Sequence, residues 1–598
     1  MAEATGAPDR TSPARRGSRL DLPAGAPAHG ARPAPARPRP RIGTLGGRPL
    51  TLAAGAAAAA PIAVSTLRAV GAGWEPTDDK AIIATRAWDV LTRHPPLVGQ
   101  YSMAGLVTGR PAHDLGPMLY WLLAVPVRIG GPAAMAVTMG IVNVAAVLAA
   151  VALARAGGGR PLMLMTAVAI ALMCTSLAAE TFHDIWNPAA SLLPFLLLIL
   201  LCWSLAGGRH PLLPVTVLVA SFVVQAHLAF LAPVLGMLAV GVAGLVLSRR
   251  RGLARAVAIA VVVGAVCWAP AVVDEAGGRP GNLTRVVQDA TARKATLGAG
   301  VGIHAVERAI GVRPWWLTVP RTRWDRKHDV RAAPGGTRRV TAVALLAALA
   351  AVAVAGAVRR RIDLAAAALI GLALMAGLGA VAAATPAVPV LAATLGYTLW
   401  WASVAGMWVW LVLAWAGWLA VAGAARAVAA RVAGRGTPAR AARLAPVLAS
   451  AAGLASAAGL AAAVIAGASA AAHEAPDQHA ALYRPIAAIA ARLDAALPPG
   501  RNVRLDGRLD VATQPFKAAV RFALARHGDR VLSRGAARRN GSWYELDHHR
   551  YGAVVALTDR PRRPHGTSTL LVRRGFSEAG AAHAVFVWIS RPEPGGRA

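Results

Sequence analysis

The sequence predicts an α-helical polytopic membrane protein with a small extracytoplasmic α/β domain at its C-terminus. Of its 598 residues, 56% are hydrophobic, and the mean hydropathy is +0.49. Stretches of about 20 residues with almost no charge recur along the chain, and this is the length that crosses hydrocarbon as a helix. Beyond residue 470 the hydrophobic runs shorten and charged residues become frequent, as is typical of a soluble domain.

We predict about eleven membrane spans from these stretches. They lie near residues 50–70, 133–154, 161–179, 189–207, 211–229, 230–248, 254–272, 339–358, 362–384, 403–425 and 443–468. The Arg-rich connectors between them are expected on the cytoplasmic side, as in most multi-pass proteins. This requires that Gly116–Gly130 does not cross, which agrees with its shortness and with Pro117 and Pro126. The N-terminus is then cytoplasmic, and the first external loop, 71–132, lies outside the plasma membrane.

Three regions follow from this reading. Residues 1–45, rich in Pro, Ala, Gly and Arg, are predicted to be a disordered basic cytoplasmic tail. Residues 46–470 form the membrane domain, and residues 471–598 form the extracytoplasmic α/β domain. Within this last region the patterns predict two helices and four strands. The helices are Tyr483–Leu497 and Thr513–His527, and the strands are Val503–Leu505, Val531–Ser533, Ala553–Thr558 and Ala584–Ile589.

The large positive charge does not require a nucleic-acid partner, and we expect none. The net charge of +35 comes from 63 Lys and Arg against 28 Asp and Glu. Much of it lies in short loops beside hydrophobic segments, so membrane orientation and anionic lipid explain it. Cys174, Cys202 and Cys267 all fall within hydrophobic segments, so they predict neither a disulfide framework nor a zinc site. The sequence also contains no phosphate-binding loop of the nucleotide type.

Two adjacent carboxylates, Asp78 and Asp79, follow the first hydrophobic span. Residues 79–93 fit a helix lying along the membrane, with an apolar stripe that includes Ile82, Ile83, Ala87 and Val90. One of the two acids could serve only as a helix N-cap. Capping needs one Asp rather than two, and carboxylates near a membrane usually have a function, so the pair is a candidate catalytic site.

The first external loop resembles that of the GT-C superfamily of membrane glycosyltransferases. Three runs carry the resemblance: DKAII from Asp79, PLVGQYS from Pro96 and HDLGPMLYWLLAVP from His113. The nearest comparison is the glycosyltransferase family 39-like group, which includes protein O-mannosyltransferases and aminoarabinose transferases. Members carry an Asp soon after the first helix, followed by a His-Pro-Gly-Pro-like element. This sequence departs from that element by having Asp114 and Leu115 in place of the usual proline.

The resemblance implies transfer of a sugar from a polyprenyl-phosphate donor to a glycan, lipid or protein acceptor outside the membrane. Asp79 would be the general base, and Asp78 a helper or a metal ligand. Cationic groups, with Lys80 and Arg86 as candidates, would hold the departing lipid phosphate. The resemblance also assigns His113 and Asp114 to the substrate-binding region. The lack of a nucleotide-binding loop favours the lipid-linked donor.

A second polar cluster runs from Glu180 to Pro188 at the external end of a predicted span. Glu180, His183, Asp184 and Asn187 could line the same cavity as the first loop. With Asp78, the acids Glu180 and Asp184 could also bind a divalent cation such as Mg²⁺ or Mn²⁺, although carboxylate spacing alone is weak support for a metal. The alternative is a loop with helix caps and an interfacial Trp anchor.

Each of the further candidates also has a structural alternative. Gln225 and His227 lie toward the external end of a span, where polar groups either line a cavity or join helices. Asn282 follows Asp274 and Glu275 in a segment that either resembles an external loop of the same enzymes or is a solvated turn. Tyr397, Trp400 and Trp401 belong either to an interfacial aromatic belt or to a surface that contacts the polyprenyl chain or sugar.

Two other function classes fit a polytopic chain. A transporter or lipid-linked sugar flippase would also carry charged groups, but the acids here cluster in external loops rather than at mid-span, and no internal repeat is evident. A non-catalytic cell-envelope assembly protein is the third class, and the altered element after His113 leaves it open.

Overall fold

The computed structural model describes residues 47–106, 109–248, 252–318, 330–434, 438–472, 477–547, 549–564, 567–578 and 580–591. The predicted disordered tail, 1–45, therefore lies outside the described residues. Arg48–Ala598 forms one compact unit. The chain is a multi-pass membrane protein with a C-terminal α/β domain, as the sequence predicts.

The membrane domain is built from sixteen helices and a two-stranded ladder within the described residues. Its helices are α1 (Arg48–Gly71), α2 (Asp78–Asp89), α3 (Met118–Ser176), α4 (Asn187–Ala190), α5 (Leu192–Ala206), α6 (Leu213–Ala226), α7 (Leu231–Leu247), α8 (Leu253–Gly277), α9 (Asn282–Thr291), α10 (Gly298–Ile310), α11 (Trp315–Thr318), α12 (Gly336–Val358), α13 (Ile362–Ala384), α14 (Pro389–Thr398), α15 (Trp401–Gly434) and α16 (Pro438–Ala472). The ladder pairs β1 (Tyr101–Ser102) antiparallel with β2 (Ala112–His113).

Nine helices among the described residues are long and apolar enough to cross a membrane. The longest, α3, has non-helical backbone at Gly131 and Gly159, both with positive φ, a conformation open to glycine because it lacks a Cβ. These breaks divide α3 into Met118–Gly130 and two apolar segments. His210–Ala226 adds a shorter apolar helix. Once these divisions are made, each predicted span coincides with a helical segment, and Gly116–Gly130 stands apart from the next predicted span.

The C-terminal domain contains helices α17 (Ala480–Ala496), α18 (Pro515–Arg526) and α19 (Ala537–Asn540) and strands β3 (Asn502–Arg508), β4 (Arg530–Leu532), β5 (Ala553–Thr558), β6 (Thr569–Glu578) and β7 (Ala581–Ser590). The sheet order is β4-β3-β5-β7-β6. Strand β3 is parallel to β4 and β5, whereas β7 is antiparallel to β5 and β6. Strand β6 was not predicted from the sequence, because Arg573, Arg574 and Gly575 interrupt its hydrophobic pattern at an edge of the sheet.

Helix α2 does not lie against lipid, which corrects the prediction of a membrane-surface helix over 79–93. It ends at Asp89, and most of its residues are buried. Ile83 and Ala87 belong to a hydrophobic cluster that also contains Leu123 of α3 and Phe516 and Val520 of α18. The apolar stripe of α2 therefore packs between the membrane domain and the C-terminal domain, because both offer it apolar surface.

Candidate active site

The two adjacent acids open helix α2. Thr77 is the N-cap residue and makes no side-chain capping bond, so neither Asp occupies the N-cap position. Asp78 has a φ of 45°, a left-handed conformation that is uncommon for a residue other than glycine. Asp79 is half-buried, and its carboxylate makes no hydrogen bond or ion pair with any described residue. A carboxylate in this state can accept a proton from a substrate.

Tyr120, at the start of α3, contacts the first loop, and its interaction with Asp79 is electrostatic only. Its ring is buried, and its hydroxyl donates to the Oε1 of Gln100 over 3.3 Å. The charges of Arg86, Asp114 and Asp79 all act on this phenol. The structure therefore brings the proposed base into one electrostatic neighbourhood with two other predicted site residues, Arg86 and Asp114.

Lys80 is committed to a buried ion-pair cluster. Its side chain is 3% exposed, and its Nζ lies 2.9 Å from Asp184 Oδ2 and 3.8 Å from Glu180 Oε2. Asp184 also accepts a hydrogen bond from the backbone N–H of Trp186 at 2.9 Å. Two carboxylates already neutralise the ammonium, so Lys80 is not available to hold a phosphate.

His183 lies at the same wall of the site. Its Nδ1 is 3.1 Å from Ser65 Oγ on α1, and its Nε2 is 2.9 Å from Asp477 Oδ2, ahead of α17. The hydroxyl of Tyr483 donates to the same Asp477 oxygen over 2.7 Å. Burial raises the pKa of the Asp477 carboxyl, but the hydrogen bond from His183 and the charges of His183 and Lys80 outweigh burial and hold that pKa below its usual range. His183 thus links the membrane domain to the C-terminal domain.

Asp114 is the centre of a second buried cluster. Its Oδ2 accepts from Asn187 Nδ2 at 2.8 Å, and its Oδ1 accepts from the backbone N–H of Leu228 at 3.0 Å. His227 Nδ1 lies 3.9 Å from Oδ1. Burial raises the pKa of the Asp114 carboxyl to about 8, although both hydrogen bonds oppose this shift. Three residues predicted from separate parts of the sequence, Asp114, Asn187 and His227, therefore meet.

Gln225 borders the Asp114 cluster and supports the chain around Gly116. Its Nε2 donates to the backbone carbonyl of Cys267 over 2.8 Å. A Cβ on Gly116 would lie 2.1 Å from Gln225 Oε1, so only glycine allows the loop this close to α6. This close approach accounts for the glycine at position 116. It also shows that Gln225 packs against the first loop.

His113 and Asn282 join the first loop to α9. The backbone N–H of His113 donates to Asn282 Oδ1 at 2.9 Å, and Asn282 Nδ2 donates to the His113 carbonyl at 3.1 Å. His113 Nε2 lies 2.9 Å from the Arg538 carbonyl. Burial lowers the pKa of the His113 imidazole. The charges of Arg86 and Arg285 lower this pKa further, whereas the hydrogen bond to the carbonyl and the charge of Asp274 oppose the shift. Charges of both signs therefore act on the His113 side of the loop.

Sequence reasoning missed Asp89, which anchors the other end of α2. The hydroxyl of Tyr544 donates to Asp89 Oδ1 at 2.6 Å, and Arg86 donates to Asp89 Oδ2 at 2.7 Å. His94 Nε2 lies 3.3 Å from Oδ1. Acidic residues are scarce in this chain, and this signal, which singled out Asp78 and Asp79, could also have pointed to Asp89. Its contact with Tyr544 could not be predicted, because Tyr544 is distant in sequence.

The predicted divalent-cation site does not fit this arrangement. Among the described residues, no group of three or more His, Cys, Asp or Glu side chains could hold a metal ion. Glu180 and Asp184 converge on Lys80, and Asp78 faces His479 instead. The acids that were expected to share a cation are therefore paired with cationic or imidazole side chains.

Aromatic side chains form a wall beside the Asn187 end of the site. The ring of Trp186 lies 4.9 Å from that of Tyr397 and 5.8 Å from that of Trp400, measured between centroids. Trp401 is fully buried and packs against Phe195. Tyr397 and Trp400 are thus placed near a site residue, whereas Trp401 belongs to the core.

No family model and no curated protein matches the chain. Similar solved structures include ArnT from Cupriavidus metallidurans bound to undecaprenyl phosphate, with 13% identity and a TM-score of 0.45 over 91% of this chain and 98% of that chain. The same protein in the apo state has 13% identity and a TM-score of 0.42 over 88% and 97% of the two chains. ArnT is a GT-C glycosyltransferase. At this identity, residue roles do not transfer from these structures to this chain.

Proposed function

We propose that this chain is a membrane glycosyltransferase that transfers a sugar from a polyprenyl-phosphate donor to an extracytoplasmic acceptor, with Asp79 as general base. The N-terminus is cytoplasmic in this proposal, and the first loop and the C-terminal domain are extracytoplasmic. Packing of α2 against α18 supports a common side for the loop and the domain. The Arg-rich connectors support the direction.

The main support for this proposal is the environment of the Asp79 carboxylate. It is half-buried and has no hydrogen-bond or ion-pair partner among the described residues, whereas the neighbouring acids Asp89, Asp114 and Asp184 are all bonded. A structural acid at a buried helix start is usually paired. An unpaired carboxylate beside the first external loop is suited to accept a proton from a substrate.

The proposed reaction is a displacement at the anomeric carbon of the donor sugar. The acceptor hydroxyl attacks the anomeric carbon of the donor sugar, and its proton passes to the Asp79 carboxylate. The bond between the anomeric carbon and the phosphate oxygen breaks, so polyprenyl phosphate leaves with the electron pair. Arg285 and Arg86, which both act electrostatically on His113, would stabilise the negative charge on that phosphate, Arg86 while also holding its carboxylate partner Asp89.

The remaining predicted residues take supporting roles in this proposal. Lys80 is neutralised by Asp184 and Glu180, so it holds the wall of the site rather than the phosphate. Asn187 donates a hydrogen bond to Asp114, which fixes the first loop to the start of α4. We derive no step through a divalent cation, because the acids proposed to bind it are already paired.

An apolar groove in the membrane domain is consistent with a polyprenyl lipid as the donor. Its cavity volume is about 800 Å³, and it lies between residues 160–172 of α3, 407–418 of α15 and 452–459 of α16. Trp316, which also lines it, accepts a hydrogen bond through its carbonyl from Ser176 Oγ at the end of α3. The loop with Glu180 follows directly. In this proposal, an isoprenoid chain in the groove extends toward the side of the membrane that carries the site.

Replacement of the base tests the proposal. Asp79→Asn keeps the size of the side chain and removes its basicity, so sugar transfer should fall by roughly 10²–10⁴-fold, the range typical for loss of a general base. The assay uses membranes supplied with polyprenyl-phosphate sugars and follows glycosylated product. Asp494→Asn, at an exposed position of α17, is the matched control and should retain activity.

Other outcomes would identify other functions. Full activity in Asp79→Asn would eliminate Asp79 as the base. Movement of a lipid-linked sugar across liposome membranes without any glycosylated product would identify a carrier. Absence of both activities, with an altered cell envelope in cells lacking the protein, would point to an assembly role.

A further inference from the structure

The chain that leads into α17 contacts the membrane domain through three consecutive residues. Asp477 bonds His183, and the backbone N–H of Gln478 donates to Glu180 Oε2 at 2.9 Å. The third residue, His479, reaches the helix that carries the proposed base. This segment is therefore where the C-terminal domain meets the site.

His479 bridges two carboxylates from different domains. Its Nδ1 lies 3.0 Å from Glu578 Oε1 at the end of β6, and its Nε2 lies 3.8 Å from Asp78 Oδ2 at the start of α2. The His479 side chain is 9% exposed. The contact with Glu578 is at hydrogen-bond distance, whereas the contact with Asp78, whose side chain is 43% exposed, is a longer electrostatic one. One ring nitrogen faces each carboxylate, so His479 can act on both at once.

The backbone conformation of Asp78 is one that a contact from His479 would help to hold. A φ of 45° is costly for a residue with a Cβ, and such a conformation persists only where its surroundings hold it. Asp79 follows directly in the chain, so the position of its carboxylate depends on the backbone at Asp78. Movement of Asp78 would displace the proposed base.

A metal site is excluded as an explanation for these three side chains. Among the described residues, no set of three acids, histidines or cysteines is arranged to hold an ion. The two carboxylates approach opposite nitrogens of the His479 ring rather than a common point. The geometry is that of a mechanical and electrostatic link.

We infer that His479 is a positioning residue for the transfer reaction. It fixes Asp78, and through Asp78 the first turn of α2, so that Asp79 meets the acceptor hydroxyl. Glu578 orients the imidazole. This inference rests on the proposed function of Asp79, and it makes the C-terminal domain an integral part of the active site.

The test compares His479→Gln, Glu578→Gln, Asp78→Asn and the double variant Asp78→Asn with His479→Gln. Asn tolerates a positive φ, so Asp78→Asn removes the charge while the backbone conformation is kept. His527→Gln is the matched control, because His527 Nδ1 also lies 3.0 Å from a carboxylate, that of Asp529, within the same domain. Its activity should equal that of the wild type.

We expect His479→Gln to lower kcat by about 10- to 100-fold with an unchanged KM for the donor, as small misplacements of reacting groups do. Asp78→Asn should give a similar loss, and the double variant should lose no more than the worse single variant. Glu578→Gln should give a smaller loss in the same direction. A merely structural defect would lower activity without this split between kcat and KM. Additive losses, or a wild-type kcat in His479→Gln, would overturn the inference.

Hydrogen exchange separates this inference from the proposed function. In His479→Gln, amides of residues 79–84 should exchange faster, whereas amides of 362–384 should not change. If the wild type transfers no sugar, the proposed function fails, and faster exchange confined to α2 still establishes the link. If the wild type is active and His479→Gln keeps both its kcat and its exchange in α2, the link fails and the proposed function stands.

Discussion

Asp79 and Lys80 are adjacent in the chain, yet the structure places them in opposite electrostatic surroundings. Lys80 is buried between Asp184 and Glu180, and removal of one member of such a cluster leaves an uncompensated buried charge. Asp79 is half-buried, without a partner among the described residues. Residue type and spacing do not distinguish these states, because the partners of Lys80 come from a loop about a hundred residues later in the chain.

Asp114 supplies a prediction at the residue scale. Burial raises its pKa to about 8 in the folded protein, above the ordinary value of 3.8. A carboxyl with a raised folded pKa contributes stability below its unfolded pKa and loses that contribution as the pH rises through the folded value. The stability of the wild type should therefore fall relative to Asp114→Asn between about pH 5 and pH 8, by up to about 1.4 kcal/mol for each pH unit.

Thermal unfolding of both proteins in detergent across this pH range measures the effect. The readout is how the difference in stability between the two proteins changes with pH. The difference at any single pH is not informative, because the Asn variant also changes one hydrogen bond. Parallel curves for the two proteins would show that Asp114 does not take up a proton in this range.

At the scale of elements, α2 is the helix for which the sequence predicts the wrong surroundings, a membrane surface in place of protein. Its spacing of Ile83, Ala87 and Val90 indicates an apolar face, but an apolar face does not name what covers it. The structure covers it with α3 and α18. Both faces of the helix are therefore used, one for apolar packing and one for ionisable groups.

The link between Asp89 and Tyr544 supplies a prediction for this element. Tyr544→Phe removes the hydroxyl that donates to the buried Asp89 Oδ1, which should lower the free energy of unfolding by about 1–3 kcal/mol. Thermal or denaturant unfolding in detergent measures the change. Tyr551→Phe is the control, since its hydroxyl accepts a bond from Arg504 within the C-terminal domain and does not touch α2. Equal losses in the two variants would contradict a special role for the Asp89 contact.

At the scale of the whole molecule, the packing of the C-terminal domain on α2 constrains topology. Two parts of a chain that pack together outside the hydrocarbon lie on the same side of the membrane. The number of crossings between the first loop and the C-terminal domain must then be even. The helical segments that coincide with the predicted spans satisfy this condition, with α1 before the loop and the others after it.

Topology reporters test this arrangement. Fusions after Gly109 and after Gly580 should both report an extracytoplasmic position, whereas a fusion after Gly208, beside the basic residue Arg209, should report the cytoplasm. Accessibility of the reporter to a membrane-impermeant reagent measures the side. Opposite sides for Gly109 and Gly580 would be incompatible with the contact between α2 and α18.

The sequence by itself determined the membrane class, the positions of the spans and most of the C-terminal strands, because hydrophobic length and periodicity are local properties of the chain. It also singled out Asp79, Asp114, Asn187 and His227 as separate candidates. Only the tertiary structure decided which of these meet, which cations are already neutralised, and that Asp89 and Asp78 of α2 contact Tyr544 and His479 of the C-terminal region. Such pairings join residues hundreds of positions apart, and their energies depend on burial and distance, which no local pattern encodes.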